Sequence, residues 1–126
     1  MTNFIKTFLI LFLIVPATTF GYEFSAMTLN VDNLFDTLDD IKKDDKAYLP
    51  IEYKQSEAHK KSCNRIRVNS WKNECLYLDW NEETKNAKLK NIVNSVTSYG
   101  QNGPDIIALQ EVENNNILNQ LLDLLR

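Results

Sequence analysis

Histidine occurs once in this 126-residue chain, cysteine twice, and no cationic excess offsets the acids. Each shortage excludes something. His59 has only Cys63 as a nearby residue of ligating type, so a four-ligand zinc site lacks its ligands, and His59 reads as a solvated loop residue. The formal net charge of −3 argues against a chain that holds polyanions by bulk charge, although a bound metal ion can offset acidity locally. No apolar run reaches the roughly 20 residues that a membrane-spanning helix needs. There is no internal repeat and no low-complexity tract. Hydrophobic residues at 44% and charged residues at 25% give the balance of a folded domain, and the length suits one small domain.

What is present begins with an export pattern. Lys6 precedes the unbroken apolar run Phe8 to Val15, and Pro16, Ala17, Thr18 and Thr19 follow before Gly21. That order predicts a secretory signal peptide over residues 1–21, cut after Gly21 or Ala17, and a secreted or periplasmic protein without stable membrane association after cleavage. Cys63 and Cys75, twelve positions apart, fit that setting as one disulfide worth about 3 kcal/mol. At the other end Leu121, Leu122, Leu124, Leu125 and Arg126 stop in mid-pattern, which predicts a domain over 22–126 that is truncated.

Between these ends the pattern reads strand, long irregular stretch, helix, strand, helix. Tyr22 to Leu34 alternates, with Met27, Leu29 and Val31 on one face and Thr28 and Asn30 on the other. Residues 37–80 are mostly polar, contain Pro50 and both cysteines, and read as an irregular, insertion-like segment. Leu89, Ile92, Val93, Val96 and Tyr99 form one helical stripe that Gly100 stops. Asp105 to Val112 is a nearly continuous apolar run of the kind covered on both faces. Ile117, Leu118, Leu121, Leu122 and Leu125 mark a last amphipathic helix, with Asn114 or Asn115 as its N-cap.

A strand–helix–strand unit normally makes its strands parallel, so their C-terminal ends share one sheet edge. Asn30 lies late in the first strand and Glu111 ends the second, and such edges commonly bind ligands. A Gln-Glu pair after a strand is often a mere polar exit into solvent. A carboxylate buried at the end of an apolar strand, however, needs a compensating partner, and a hard cation such as Mg²⁺ with oxygen ligands supplies one. Asn30 would then be a direct or indirect partner of that cation.

Two segments resemble the endonuclease/exonuclease/phosphatase superfamily. Met27-Thr28-Leu29-Asn30-Val31-Asp32-Asn33-Leu34-Phe35-Asp36 resembles its opening strand, and Pro104-Asp105-Ile106-Ile107-Ala108-Leu109-Gln110-Glu111-Val112-Glu113-Asn114 resembles its second motif. The Lys88 to Val93 stretch sits where the family's first helix does, and the spelling of both motifs is similar to that of exported bacterial nucleases. The resemblance implies an α/β (α+β) fold, the N-terminal half of a four-layered α/β sandwich. It also implies a Mg²⁺- or Mn²⁺-dependent phosphoesterase in which Glu111 binds the metal and Asn30 acts catalytically at the metal shell or on a phosphate oxygen. Gln110 would hydrogen-bond near the site, and Asp36 and Glu113 would be structural or solvent-facing.

The family's catalytic His, Asp-x-Asn pair and Ser-Asp-His segment have no counterpart here, so this chain alone is expected to be inactive. A half-sandwich would also leave an open sheet edge and exposed apolar surface. For substrate, Lys60, Lys61, Arg65, Arg67 and Lys72 form a run without acids around Trp71, which suits a phosphodiester backbone with base stacking. The same run also reads as a solvated loop pinned by a disulfide. Polynucleotide leads; sphingomyelin or inositol phosphates, or an exported binding module without catalysis, are the alternatives.

Overall fold

A computed structural model describes residues 21–41, 43–100 and 102–126. The signal-peptide reading therefore lies outside the described residues, apart from its last position. The fold is mixed α/β around a two-stranded parallel sheet. Strand β1 is Ala26–Leu34 and β2 is Ile106–Val112, paired in register from Ala26↔Ile106 to Asn30↔Gln110. β1 starts later than the alternation predicts: Tyr22 and Phe24 stand 98% and 72% exposed, with no neighbouring strand to pair them among the described residues. Ser25 instead starts the ladder, its backbone N–H and Oγ donating to Asp105 Oδ2 at 2.8 and 2.9 Å. Those bonds hold the Asp105 carboxyl below the usual carboxylate range.

The helices follow their periodicity. Helix α3, Glu82–Thr97, is capped by Asn81, whose side chain accepts from Thr84 N, and carries Glu82 and Glu83 in its first turn, where the helix dipole favours them. Gly100 (φ 66) takes the left-handed turn after it. Gly103 (φ 77) passes so close that an added Cβ would lie 3.3 Å from Val96 O. Helix α4, Asn115–Leu125, is capped by Asn114, whose Oδ1 accepts from Ile117 N at 3.1 Å. Leu89, Ile92 and Val96 from α3 and Ile117 and Leu121 from α4 meet Val31 and Leu34 of β1 in one buried core. Replacing the cap, Asn114→Ala, is expected to cost about 1 kcal/mol in urea unfolding, because the first-turn N–H loses its acceptor. A midpoint equal to wild type would show that the cap is idle.

Further sequence expectations change here. β2 is covered on one face only: Ile107 and Leu109 pack on the core while Ile106, Ala108 and Gln110 are exposed. The apolar run recorded β-propensity as well as burial, and no second layer lies over that face among the described residues.

The segment 37–80 is not irregular. It holds two 3₁₀ turns, Lys46–Tyr48 and Ile51–Lys54, then helix α1, Glu57–Cys63, and helix α2, Asn69–Tyr77. Cross-links replace an apolar stripe. The Cys63–Cys75 disulfide joins α1 to α2. The buried Lys54 ammonium donates to Ala47 O, Glu74 O and Leu78 O at 2.7, 3.2 and 2.6 Å. His59 is a buried α1 residue rather than a solvated one, its Nε2 2.8 Å from Cys75 O. Trp80 joins this unit to the end of β1: Nε1 donates to Phe35 O at 3.1 Å, and Tyr48 stacks on Phe35 while meeting Trp80 edge-on. No helix among the described residues is long and apolar enough to cross a membrane.

Candidate metal and phosphate site at the strand ends

The register of the sheet breaks at its C-terminal edge. After Asn30↔Gln110 the next pair is Leu34↔Val112, so residues 31–33 of β1 stand opposite Glu111 alone. The surplus is absorbed in left-handed backbone at Asp32 (φ 53), Asn33 (φ 64) and Glu111 (φ 62). Asp and Asn tolerate that region, whereas a glutamate held there is strained, a condition that recurs at functional sites.

The strained bulge aims donors at one carboxylate. Asn30 Nδ2 donates to Glu111 Oε1 at 2.7 Å, and the Asn33 backbone N–H donates to Oε2 at 3.2 Å. Asn30 Oδ1 in turn accepts from Asp32 N at 2.8 Å. This second bond fixes the amide: turned over, its oxygen would face a carboxylate and its NH₂ another donor. Lys88, reaching over from α3, donates to Asp32 O at 2.9 Å and lies 3.6 Å from Asp32 Oδ2. Gln110 Nε2 donates to Thr28 Oγ1 at 3.2 Å on the open face.

Asn30 and Glu111 are thus brought together, but not for the reason burial gave. Glu111 is exposed and has two donors, so it carries no desolvation cost that demands a cation. Each of its oxygens keeps lone-pair capacity toward solvent. Asn30 serves as the residue that orients Glu111, and its Oδ1, which accepts from Asp32 N, keeps a second lone pair that a cation could use. Among the described residues the only group of three clustered ligand atoms is His59, Cys63 and Cys75, whose thiols are spent in the disulfide. A cation at Glu111 would therefore have one protein carboxylate and a largely aqueous shell, which Mg²⁺ accepts and zinc does not.

The basic run spans α1, the turn after it and α2. Lys60 pairs with Glu57 at 3.7 Å, Lys61 is an exposed α1 residue, and Arg65 and Arg67 stand exposed between α1 and α2. Trp71 is 62% exposed and borders a hollow of about 750 Å³ next to Asp32 and Asn33. Sequence reading missed Asp32, Asn33 and Lys88 as site residues; the consecutive Asp-Asn pair was the available signal for a left-handed bulge.

Behind this edge lies an acidic network. Asp36 is buried and takes Asn114 Nδ2 at 3.1 Å and Asn116 Nδ2 at 2.8 Å on Oδ2, while its own N–H donates to Glu113 Oε2 at 2.9 Å. Neither Asp36 nor Glu113 is a free solvent-facing acid. Glu113 Oε1 is buried without a partner among the described residues. Burial, with Asp36, Asp40 and Asp45 close by, raises the Glu113 pKa to about 7.

A carboxyl raised in the folded state contributes stability below its ordinary value of 4.5 and loses it as pH climbs through about 7. Melting temperature is therefore expected to fall between about pH 4.5 and about pH 7, and Glu113→Gln to flatten that fall. Asp40 and Glu82, both lowered, lose their contributions at acid pH, in a separate window. Parallel pH profiles for variant and wild type would remove Glu113 from the account.

No protein family, curated protein or solved structure matches the chain.

Proposed function

We propose that the bulged strand edge binds a divalent cation, Mg²⁺ or Mn²⁺, through Glu111 and serves hydrolysis of phosphoesters, polynucleotide first among them. The observation that carries this reading is the strained Glu111, oriented by Asn30 and by the Asn33 N–H at the C-terminal ends of two parallel strands. On this reading the domain is one half of a four-layered sandwich, and the exposed face of β2 is where the other half packs. The Cys63–Cys75 disulfide is compatible with an exported protein.

A bound divalent cation neutralises charge on a phosphoryl group and on the departing oxygen. The chain's own contribution is positional. Asn30 keeps the Glu111 carboxylate turned outward, and the Asn33 N–H fixes its second oxygen. Lys88 holds the bulge closed through Asp32 O. His59, buried against Cys75 O, supplies no base to this edge. A second reading, a metal-binding module without catalysis, is favoured by the single carboxylate at the site.

Hydrolysis separates the two readings, assayed on the chain together with any continuation its reading frame encodes. Nicking of supercoiled plasmid with Mg²⁺, abolished by EDTA and by Glu111→Ala, is the expected result. Activity that survives Glu111→Ala unchanged rules the site out. Turnover of sphingomyelin or inositol phosphates in place of DNA moves the substrate class.

A further inference from the structure

Reduction would change what the junction of α1 and α2 can hold. His59 and Cys63 lie four residues apart and so share one face of α1, and Cys75 meets them from α2 with its Cα 5.6 Å from that of Cys63. A ring nitrogen of His59 and the two sulfurs lie within 4.8 Å of one another, and all three side chains are buried. Cys75 O can only accept, so the 2.8 Å contact places a ring proton on Nε2 and leaves Nδ1 to supply a lone pair. A metal-bound histidine is held in this way, its other ring N–H donated to a backbone carbonyl.

The donor set selects the ion. Two thiols and an imidazole suit zinc, whereas Mg²⁺ asks for oxygen. Two thiolates also cancel the charge of Zn²⁺, so the complex adds no net charge to a buried place, where an uncompensated one would be costly. Three protein ligands leave a fourth position for water. His59, with Ser56 and Ser62, lines a hollow of about 640 Å³ that gives the ion a way in. Sulfur exchange with other proteins fits the pair less well, because reactive cysteines are partly exposed and Cys63 and Cys75 are 0% and 4% exposed.

We propose that His59, Cys63 and Cys75 form a zinc site in the reduced chain, so that α1 and α2 are joined by either a disulfide or a zinc ion. The exchange balances with a dithiol as reductant. The S–S bond takes up two electrons and two protons while the dithiol becomes a disulfide. Zn²⁺ then displaces the two thiol protons as two S–Zn bonds form. The site is independent of the Glu111 edge, which offers oxygen to a hard cation and no sulfur.

The test is Zn²⁺ titration of the whole chain by calorimetry, oxidised and phosphine-reduced, with Co²⁺ as a coloured substitute. The reduced chain is expected to bind one Zn²⁺, on the order of 100-fold more tightly than the oxidised chain. Co²⁺ should show thiolate charge-transfer absorption in the reduced chain alone. Zinc should also restore the hydrogen-exchange protection that α1 and α2 lose on reduction. His59→Gln, whose amide can still donate to Cys75 O, should keep the disulfide and the oxidised fold, and should weaken zinc in the reduced chain on the order of 100-fold. Equal zinc affinity in both redox states overturns the proposal, as does Co²⁺ bound without thiolate absorption or an unchanged affinity in His59→Gln. A reduced chain that loses its far-UV circular dichroism and fails to regain it with zinc overturns it as well. Glu111→Ala must leave zinc affinity of the reduced chain intact; if affinity falls there instead, the ion sits at the strand edge and the proposal fails.

Discussion

Lys54→Ala is expected to lower unfolding stability by about 3 to 5 kcal/mol, read from urea denaturation. Lys54 is 1% exposed and its ammonium is the donor for three carbonyls, from the first 3₁₀ turn and from the C-terminal end of α2. Alanine removes the shared donor from all three carbonyls, of which Glu74 O keeps the Leu78 N–H, and leaves a cavity where the four-carbon stem lay. Burial lowers the Lys54 pKa to about 8, against the opposing pull of Asp79, so at neutral pH the side chain is still predominantly an ammonium. Lys54→Met separates the causes: it refills the volume without donors, and is expected to recover only part of the loss. A cost near zero for both variants would mean that water serves these carbonyls equally well.

Reduction of Cys63–Cys75 is expected to cost about 3 kcal/mol, mainly by freeing the unfolded chain. The bond links the end of α1 to α2, and both cysteines are buried. The main core of Val31, Leu34, Leu89, Ile92, Val96, Ile117 and Leu121 contains none of the residues of that unit. The loss should therefore be local first. Amides of α1 and α2 should lose hydrogen-exchange protection in dithiothreitol before those of α3 and α4. Uniform loss of protection across all four helices would show that the two parts unfold together. An unchanged melting temperature on reduction would show that the disulfide only decorates a unit already held by Lys54 and Trp80.

These two expectations concern the part of the fold that was least legible in the sequence. β2, α3 and α4 were readable because short-range periodicity records which face is covered, and Asn114 announced its own helix. The segment from 37 to 80 was not, because its order comes from distant partners of single side chains. Lys54 reads as a surface charge until three carbonyls are placed around it. His59 reads as solvated until Cys75 O lies 2.8 Å from its ring. Helix α2 buries only Cys75, so no apolar stripe advertised it. Lys60, Lys61, Arg65, Arg67 and Trp71 lie between positions 60 and 71 but divide between α1, the following turn and α2, because α1 ends at Cys63 and α2 begins at Asn69.

The site was half legible. Parallel pairing brought the strand ends together as the strand–helix–strand order implied, and Asn30 meets Glu111 at 2.7 Å. The physical argument for a cation was different from the one burial supplied. Glu111 is solvent-facing, and what singles it out is its left-handed backbone and its two aimed donors. Alternation alone holds no information about a bulge, so residues 32 and 33, signalled only by their Asp-Asn spelling, joined the site once the register was known.

Mn²⁺ titration followed by paramagnetic broadening of backbone amide signals tests the central claim most directly. The account predicts that Asn30, Asn33 and Glu111 broaden first in the wild type. In Glu111→Gln, which keeps the size of the side chain, Mn²⁺ affinity should fall by on the order of 10- to 100-fold. Unchanged affinity in that variant, or broadening centred on Asp36, Asp40 and Asp45 in place of the strand edge, would contradict it.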